Sequence, residues 1–143
     1  MLGLKKRPDV VCDVFVPQRR FVEFFDWYAE TFKFYPLWVV PYRVARPYPW
    51  VADAQVGRFG GDQLLVDCAV YGKPNGEQER DYSRLLEDKT YELGGLKTLI
   101  SRNHYSEERF WDIYNRPNCE AAKARLDPRG VFPKLYQTFG RVE

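Results

Sequence analysis

The sequence has little of what disulfide frameworks and metal sites are built from. Its 143 residues include only three cysteines, one histidine and one methionine. Cys12, Cys68 and Cys119 form an odd set without C-x-x-C spacing, so the sequence predicts neither paired disulfides nor a bound metal. Unpaired cysteines favour a reducing compartment, and we expect the protein to be cytoplasmic.

Long apolar runs and an excess of one charge are also missing. No stretch approaches the roughly 18 apolar residues of a membrane span, and no apolar signal segment opens the sequence. Lys and Arg number 22 against 20 Asp and Glu, and the charges are scattered along the chain. The sequence therefore predicts no membrane span and no nucleic-acid partner.

Apolar side chains, by contrast, are plentiful. They make up 45% of the residues, and aromatic side chains alone make up 17%. A chain of 143 residues has the common size of one domain with one core. We expect residues 1–143 to fold as a single domain.

Four segments have the composition of β-strands. Residues 10–16, VVCDVFV, are rich in β-branched side chains, and strands are also predicted at 34–42, 63–71 and 96–100. Prolines within 34–42 favour an edge position for the second strand. The segment 43–61 is rich in proline and glycine and predicts a long loop, which is either a lid or a contact with a partner.

Apolar residues at helical spacing predict the helices between and after these strands. The buried face of the first helix is predicted to comprise Phe21, Phe25, Tyr28 and Phe32. A second helix begins near Tyr82 and ends at Gly94 and Gly95, and Ser106 is expected to cap a third. The spacing of Phe110, Trp111 and Tyr114 on that third helix favours core packing over an aromatic binding box. A further helix is predicted over 119–126.

The order strand, helix, strand, strand, helix, strand predicts an α+β fold. It is the split βαβ pattern of ferredoxin-like domains, in which an antiparallel sheet has its first and third strands in the centre. Both helices then cover one face of the sheet, and the later helices form a C-terminal extension. The other face is left in need of a cover.

Two acids are predicted to share that other face. Alternation along the strands points Asp13 and Asp67 the same way, beside Phe15, Tyr71 and either Trp38 or Tyr42. Such an apolar platform with a few polar groups suits a ligand or a domain interface. Alternatively, the two acids are solvated on an open face and pair with nearby Arg or Lys.

Several motifs in order resemble the sterol Δ24-reductase-like group of FAD-linked oxidoreductases. They are KKRPDVVCDVFVP, FYPLWVVPY, LLVDCAVYG, ERFWDIYNRPN and DPRGVFPKLYQ. The resemblance implies that this chain is a C-terminal cap domain whose antiparallel sheet forms one wall of a substrate site. It implies a bulky apolar, sterol-like substrate, and an FAD-binding domain on the same or a separate chain as partner.

The resemblance and the face pattern together give a set of candidate substrate-wall residues. They are Asp13, Phe15, Trp38, Tyr42, Asp67 and Tyr71, and Pro17 and Pro41 also match the family's motifs. The complete enzyme would contain FAD. This chain lacks a glycine-rich phosphate loop, so we expect it to bind no FAD and to be inactive alone.

One interpretation of the chain remains open besides the cap domain. A stand-alone ferredoxin-like module could bind a small ligand or form a homodimer through the open sheet face.

His104, with Tyr105 beside it, is a candidate proton donor in a loop, although an exposed loop histidine is the commoner case. The mixture of basic and aromatic residues at 42–50 lies in a loop, which does not favour RNA stacking.

Overall fold

The computed structural model describes residues 7–46, 48–76 and 79–140. Lys5 and Lys6 of the first motif, and Pro47 of the predicted loop, lie outside the described residues. The elements in chain order are β1 (Val10–Pro17), a 3₁₀ turn (Gln18–Arg20), α1 (Phe21–Thr31), β2 (Trp38–Arg43), α2 (Asp53–Gly57), β3 (Leu64–Lys73), α3 (Tyr82–Glu92), β4 (Leu96–Lys97), α4 (Glu107–Ile113), α5 (Arg116–Leu126) and α6 (Leu135–Phe139).

The four strands form one antiparallel sheet in the order β2-β3-β1-β4. The central position of β1 and β3 and the edge position of β2 are as the sequence predicts, and the α+β fold class is confirmed. The second strand begins at Trp38 and the fourth ends at Lys97, so both are shorter than predicted. The ferredoxin-like classification stays a prediction.

Helices α1 and α3 cover one face of this sheet. The alternating pattern of β1 is the cause, because Val10, Cys12, Val14 and Val16 all point to the same side and are all buried. Their partners in the core are Val66, Cys68 and Val70 of β3, Phe24, Tyr28 and Phe32 of the first helical segment, and Tyr82, Leu86 and Leu93 of the second.

The buried face of α1 differs from the predicted one by a single position. Phe24 is completely buried, whereas Phe25 is 38% exposed and packs against Phe21. Phe24, Tyr28 and Phe32 follow one another at intervals of four, so they lie on one side of the helix and stack in sequence. The sequence prediction for Phe25 was therefore wrong, and Phe24 takes its place in the core.

The second face of the sheet is covered at one end, which corrects the expectation of a face open throughout. Part of the predicted loop 43–61 folds into α2, and Val51 and Phe59 of this segment pack on Leu65 of β3. Phe15 of β1 and Leu96 of β4 contact the same small cluster. The segment is a packed wall beside the sheet.

Side chains anchor this wall to the backbone on both flanks. The Gln55 amide donates to the carbonyl oxygens of Gly94 and Gly95 at 2.9 and 2.8 Å. The Arg19 guanidinium donates to the carbonyl oxygens of Arg58 and Phe59, both at 2.7 Å. Each anchor joins residues about 40 positions apart in the chain.

The C-terminal helices pack beyond β4. The Ser106 hydroxyl caps α4 as predicted, accepting from the Arg109 N–H at 3.2 Å. Phe110 is buried and touches Tyr136 of α6, with ring centroids 5.3 Å apart. None of the helices in the described part of the chain is long and apolar enough to cross a membrane.

Candidate functional site

The face opposite α1 and α3 brings all the predicted wall residues together. The ladders pair Asp13 and Trp38 with Ala69, and Phe15 with Asp67. This register places one set of side chains, here called the sheet platform, on the same side: Asp13, Phe15, Trp38, Tyr42, Asp67 and Tyr71. Trp38, Tyr42 and Tyr71 are 64%, 50% and 53% exposed. Their aromatic surface is available to a ligand or another domain.

Asp67 lies in the middle of the sheet platform, and its carboxyl group loses its proton less readily than that of an ordinary aspartic acid. Partial burial and the negative charge of Asp13 raise the pKa of Asp67 to about 6. Its Oδ1 atom is buried without a hydrogen-bond partner among the described residues. An unpaired buried oxygen is costly, and a ligand group that bonded to it would remove the cost.

Asp13 and Tyr71 form a second polar group beside Asp67. The Tyr71 hydroxyl donates a short hydrogen bond to the Asp13 carboxylate. That bond is the first cause, followed by burial and by the negative charges of Asp13 and Asp67, and together they raise the pKa of Tyr71 to about 12. Tyr71 therefore stays protonated at neutral pH and remains a donor. The alternative expected from the sequence, pairing of these two acids with Arg or Lys, does not occur among the described residues, where Asp13 accepts from a tyrosine.

A large apolar groove begins where the sheet platform meets the C-terminal helices. It encloses about 1450 Å³. Phe15, Tyr42 and Leu65 form its floor on the sheet side, while α5 and residues 127–139 form the opposite side. Trp50 and Trp111 line it between these walls. We call this space the tail groove.

Sequence reasoning missed most of the tail groove. Its far wall includes Leu126 and Phe132, two large apolar side chains that are strongly exposed and not packed into the core. The signal was present in the motif DPRGVFPKLYQ, where apolar residues occur without strand or helix spacing. Apolar residues that fit neither spacing indicate a surface that another molecule covers.

His104 and Tyr105 lie away from both the sheet platform and the tail groove. The His104 ring contacts the Ser83 hydroxyl of α3 at 3.2 Å, and burial lowers the pKa of His104 to about 4. Tyr105 is buried in the cluster under α4 and donates to the Glu87 carbonyl oxygen at 3.3 Å. The structure does not bring either residue together with the candidate wall residues.

A buried ion pair lies between α3 and β4. The Lys97 ammonium is 2.5 Å from a Glu87 carboxylate oxygen, and both side chains are almost completely buried. The His104 N–H donates to both Glu87 oxygens at 2.9 and 3.0 Å. Lys97 also donates to the Arg102 carbonyl oxygen. The pair is a structural feature that holds residues 102–104 against α3.

Two helix N-termini, those of α3 and α4, do not fit a flavin diphosphate. The α3 N-terminus is occupied by the Asp81 carboxylate, which accepts from the Ser83 and Arg84 N–H groups. The α4 N-terminus carries Glu107 and Glu108 in its first turn. Carboxylates at these positions compete with and repel a phosphate. Among the described residues, no cluster of three or more His, Cys, Asp or Glu could hold a metal ion.

Comparison with known proteins gives one distant likeness. The chain is 22% identical over 142 residues to a Delta(24)-sterol reductase of Arabidopsis thaliana. The match covers 89% of this chain but spans only 25% of the length of that relative. No protein-family profile matches the chain, and no solved structure matches significantly. At this distance the likeness suggests an FAD-linked family.

Proposed function

We propose that this chain is the substrate-side cap domain of an FAD-dependent oxidoreductase acting on a bulky apolar substrate. The observation that carries the proposal is the sheet platform, an aromatic face that α1 and α3 leave uncovered, with an acid of raised pKa at its centre. The distant likeness to a Delta(24)-sterol reductase supports it, since that is an FAD-linked family. The likeness runs through most of the chain, at 89% of its length.

In this proposal the sheet platform is one wall of the substrate site. FAD, held by the partner domain, would supply the hydride transfer, and the protein would supply orientation. Below about pH 6 the protonated Asp67 carboxyl could donate a hydrogen bond to a polar group of the substrate. The Tyr71 hydroxyl, whose proton is donated to Asp13, could accept one. Phe15, Trp38 and Tyr42 would exclude water from the apolar remainder.

The same proposal makes the isolated chain inactive. The carboxylates at the α3 and α4 N-termini leave no favourable site there for a diphosphate. In this proposal the flavin phosphates would be held by the FAD-binding domain, which is the proposed partner. That domain would cover the sheet platform and complete the substrate site.

A second candidate rests on the exposure of the same aromatic residues. A stand-alone module could cover Trp38 and Tyr42 by forming a homodimer, or could bind a small ligand there. Tight self-association without flavin would favour this candidate. Weak self-association, together with capture of flavin by a partner, would favour the cap domain.

The test is to purify the chain with added FAD, alone and together with the protein encoded directly upstream of it. We expect protein-bound flavin absorbance only when both proteins are present. The variant Trp38→Lys should weaken the complex, because it places a charge on the platform. Val22→Lys is a matched control, because Val22 is an equally exposed apolar residue on α1.

The outcomes separate the two candidates. Flavin retention that depends on the partner and on Trp38, but not on Val22, supports the cap domain. A stable flavin-free dimer that ignores the partner would overturn it. If both variants abolish the complex equally, the sheet platform is not the contact surface.

A further inference from the structure

The tail groove is a large apolar space beside the sheet platform. Its volume of about 1450 Å³ exceeds the range of about 300–1,000 Å³ that is usual for small-molecule pockets. Aromatic and aliphatic side chains dominate its lining, from Phe15 and Tyr42 on the floor to Leu126 and Phe132 opposite. A space of this size and composition suits a long, mostly apolar molecule.

The charged side chains that line the groove carry more positive than negative charge. Asp127 is paired with Lys123, and the Glu120 carboxylate accepts from Arg116 at 2.8 Å. Lys134 lies near Glu120 as a second positive neighbour and contributes to the lowered pKa of that acid, after the larger effect of Arg116. No carboxylate among the described residues forms an ion pair with Arg46 or Lys134, which both line the groove.

The groove is thus an apolar space with excess positive charge at its polar positions. Lys97 also reaches the lining, but it is neutralised by its ion pair with Glu87. Arg46 and Lys134 are left to interact with a ligand. An acidic group near them would gain charge-assisted hydrogen bonds, whereas a basic group would be repelled.

We propose that the tail groove binds one long apolar molecule with a single acidic head group, directed by Arg46 and Lys134. Binding in the groove requires no flavin and does not depend on the proposed function. The further step, that this molecule is the substrate and lies beside Asp67, does rest on the proposed function. The Phe15 and Tyr42 rings join the two sites, since they belong to both the platform and the groove floor.

A free monomeric ligand fits this shape better than a membrane surface does. The apolar side chains converge on a concave space between the sheet and α5, so they cannot all reach a flat layer of lipid head groups together. The basic groups Arg46 and Lys134 come from two different segments of the lining, the one after β2 and the one before α6. Enclosure from both sides is typical of a pocket for one molecule.

The test is a titration of the 143-residue chain with palmitate below its critical micelle concentration. Hexadecanol and hexadecylamine have the same apolar chain and serve as neutral and cationic probes. Fluorescence of Trp50 and Trp111, which line the groove, reports occupancy. We expect saturable binding of one palmitate per chain, weaker binding of the alcohol, and the weakest binding of the amine. Only the palmitate affinity should fall as salt is added.

Variants separate the head group from the apolar body. Arg46→Gln with Lys134→Gln should weaken palmitate binding roughly fivefold, a modest loss that suits two solvent-accessible cations, and should leave hexadecanol unchanged. Arg125→Gln with Arg129→Gln removes the same charge from exposed positions outside the groove and should change neither probe. Phe132→Asp should weaken both probes, and thermal unfolding would confirm that it still folds.

Several outcomes would overturn the inference. They are equal affinity for all three probes, no saturable binding, and an equal effect of the two double variants. Binding to anionic phosphatidylserine vesicles without saturable binding of palmitate would assign the surface to a membrane instead. Palmitate binding without flavin capture would support the ligand site in the groove and contradict the cap-domain proposal. Flavin capture without palmitate binding would support the cap domain and contradict the ligand site.

Discussion

At the scale of single residues, Asp67 departs clearly from its usual chemistry. Its carboxyl lies on an apolar sheet face, beside the negative Asp13, and one of its oxygens has no hydrogen-bond partner among the described residues. Each of these conditions disfavours the ionised form. The residue therefore weakens the fold at neutral pH and would become more favourable if a ligand or a second domain bonded to it.

The pH dependence of stability should reveal this. The pKa of Asp67 is about 6 in the folded chain against an ordinary 3.8. The folded chain therefore holds more protons than the unfolded chain in this interval, and stability falls as pH rises through it. Asp67→Asn removes the penalty and should raise the free energy of unfolding at pH 8 by about 1 kcal/mol, a figure reduced for solvent screening. Urea unfolding at several pH values measures it.

Asp26→Asn provides the control for this prediction. Asp26 is exposed on α1, so its replacement should change neither the stability at pH 8 nor its pH dependence appreciably. Equal stability of wild type and Asp67→Asn at pH 8, with the same slope between pH 4 and 7, would show that Asp67 is well solvated.

At the scale of elements, the Glu87–Lys97 pair ties three parts of the chain together. Glu87 belongs to α3, Lys97 to β4, and the backbone of residues 102–104 bonds to both. Charges this deeply buried stabilise only as long as both are present, because either one alone bears its desolvation cost without compensation. The connection between the first core and the C-terminal helices depends on the pair.

Removal of one partner should therefore be severe. Lys97→Met leaves the Glu87 carboxylate buried and uncompensated, and we expect a loss of about 3–5 kcal/mol in the free energy of unfolding. The double variant Glu87→Gln with Lys97→Met should recover most of that loss, since it buries no charge. Chemical denaturation of the three proteins tests this. A double variant as unstable as Lys97→Met alone would show that packing, and not charge, dominates at this site.

The sequence predicts elements where composition and spacing agree, and errs where they do not. The β1 alternation and the Ser106 cap are local features, and both are found as expected. Phe24 and Phe25 are adjacent and equally apolar, so only the position of the sheet under α1 decides which of them is buried. Lys97 could not be predicted as buried, because its partner Glu87 lies in another element.

At the scale of the whole molecule, the two faces of the sheet are unequal. One is covered by α1 and α3, while the other keeps Trp38, Tyr42 and Tyr71 exposed beside an apolar groove. Exposed aromatic surface of this kind usually marks a binding surface. The proposed partner domain would cover it, and in its absence copies of the chain should meet through it weakly.

Sedimentation at increasing protein concentration should show this association. Trp38→Lys with Tyr42→Lys should keep the chain monomeric, because both changes place charges on the exposed face. Val22→Lys with Phe25→Lys makes the same chemical change on the helical side and should leave the association as in wild type. Identical behaviour of both double variants would contradict a role for the sheet platform.

The candidate site could be predicted only in part, for a reason that belongs to this scale. The platform residues lie on three strands with alternating side chains. The alternation alone predicted the common face of the β1 and β3 residues, and left open whether Trp38 or Tyr42 of β2 shares it. The tail groove is built from β1, the segment after β2, and α5 and α6, which are brought together by packing alone. No short-range spacing in the sequence predicts that these elements pack side by side.

The anchors of Gln55 and Arg19 have a consequence for the rate of ligand exchange. Their hydrogen bonds to backbone carbonyl oxygens fix residues 55–59, which precede β3. We therefore expect this wall of the tail groove to stay in place when a molecule enters. We expect entry past the exposed side chains of Leu126 and Phe132, which also line the groove. Uptake should be set by diffusional encounter, and its rate should rise linearly with ligand concentration and show no plateau from a preceding opening step.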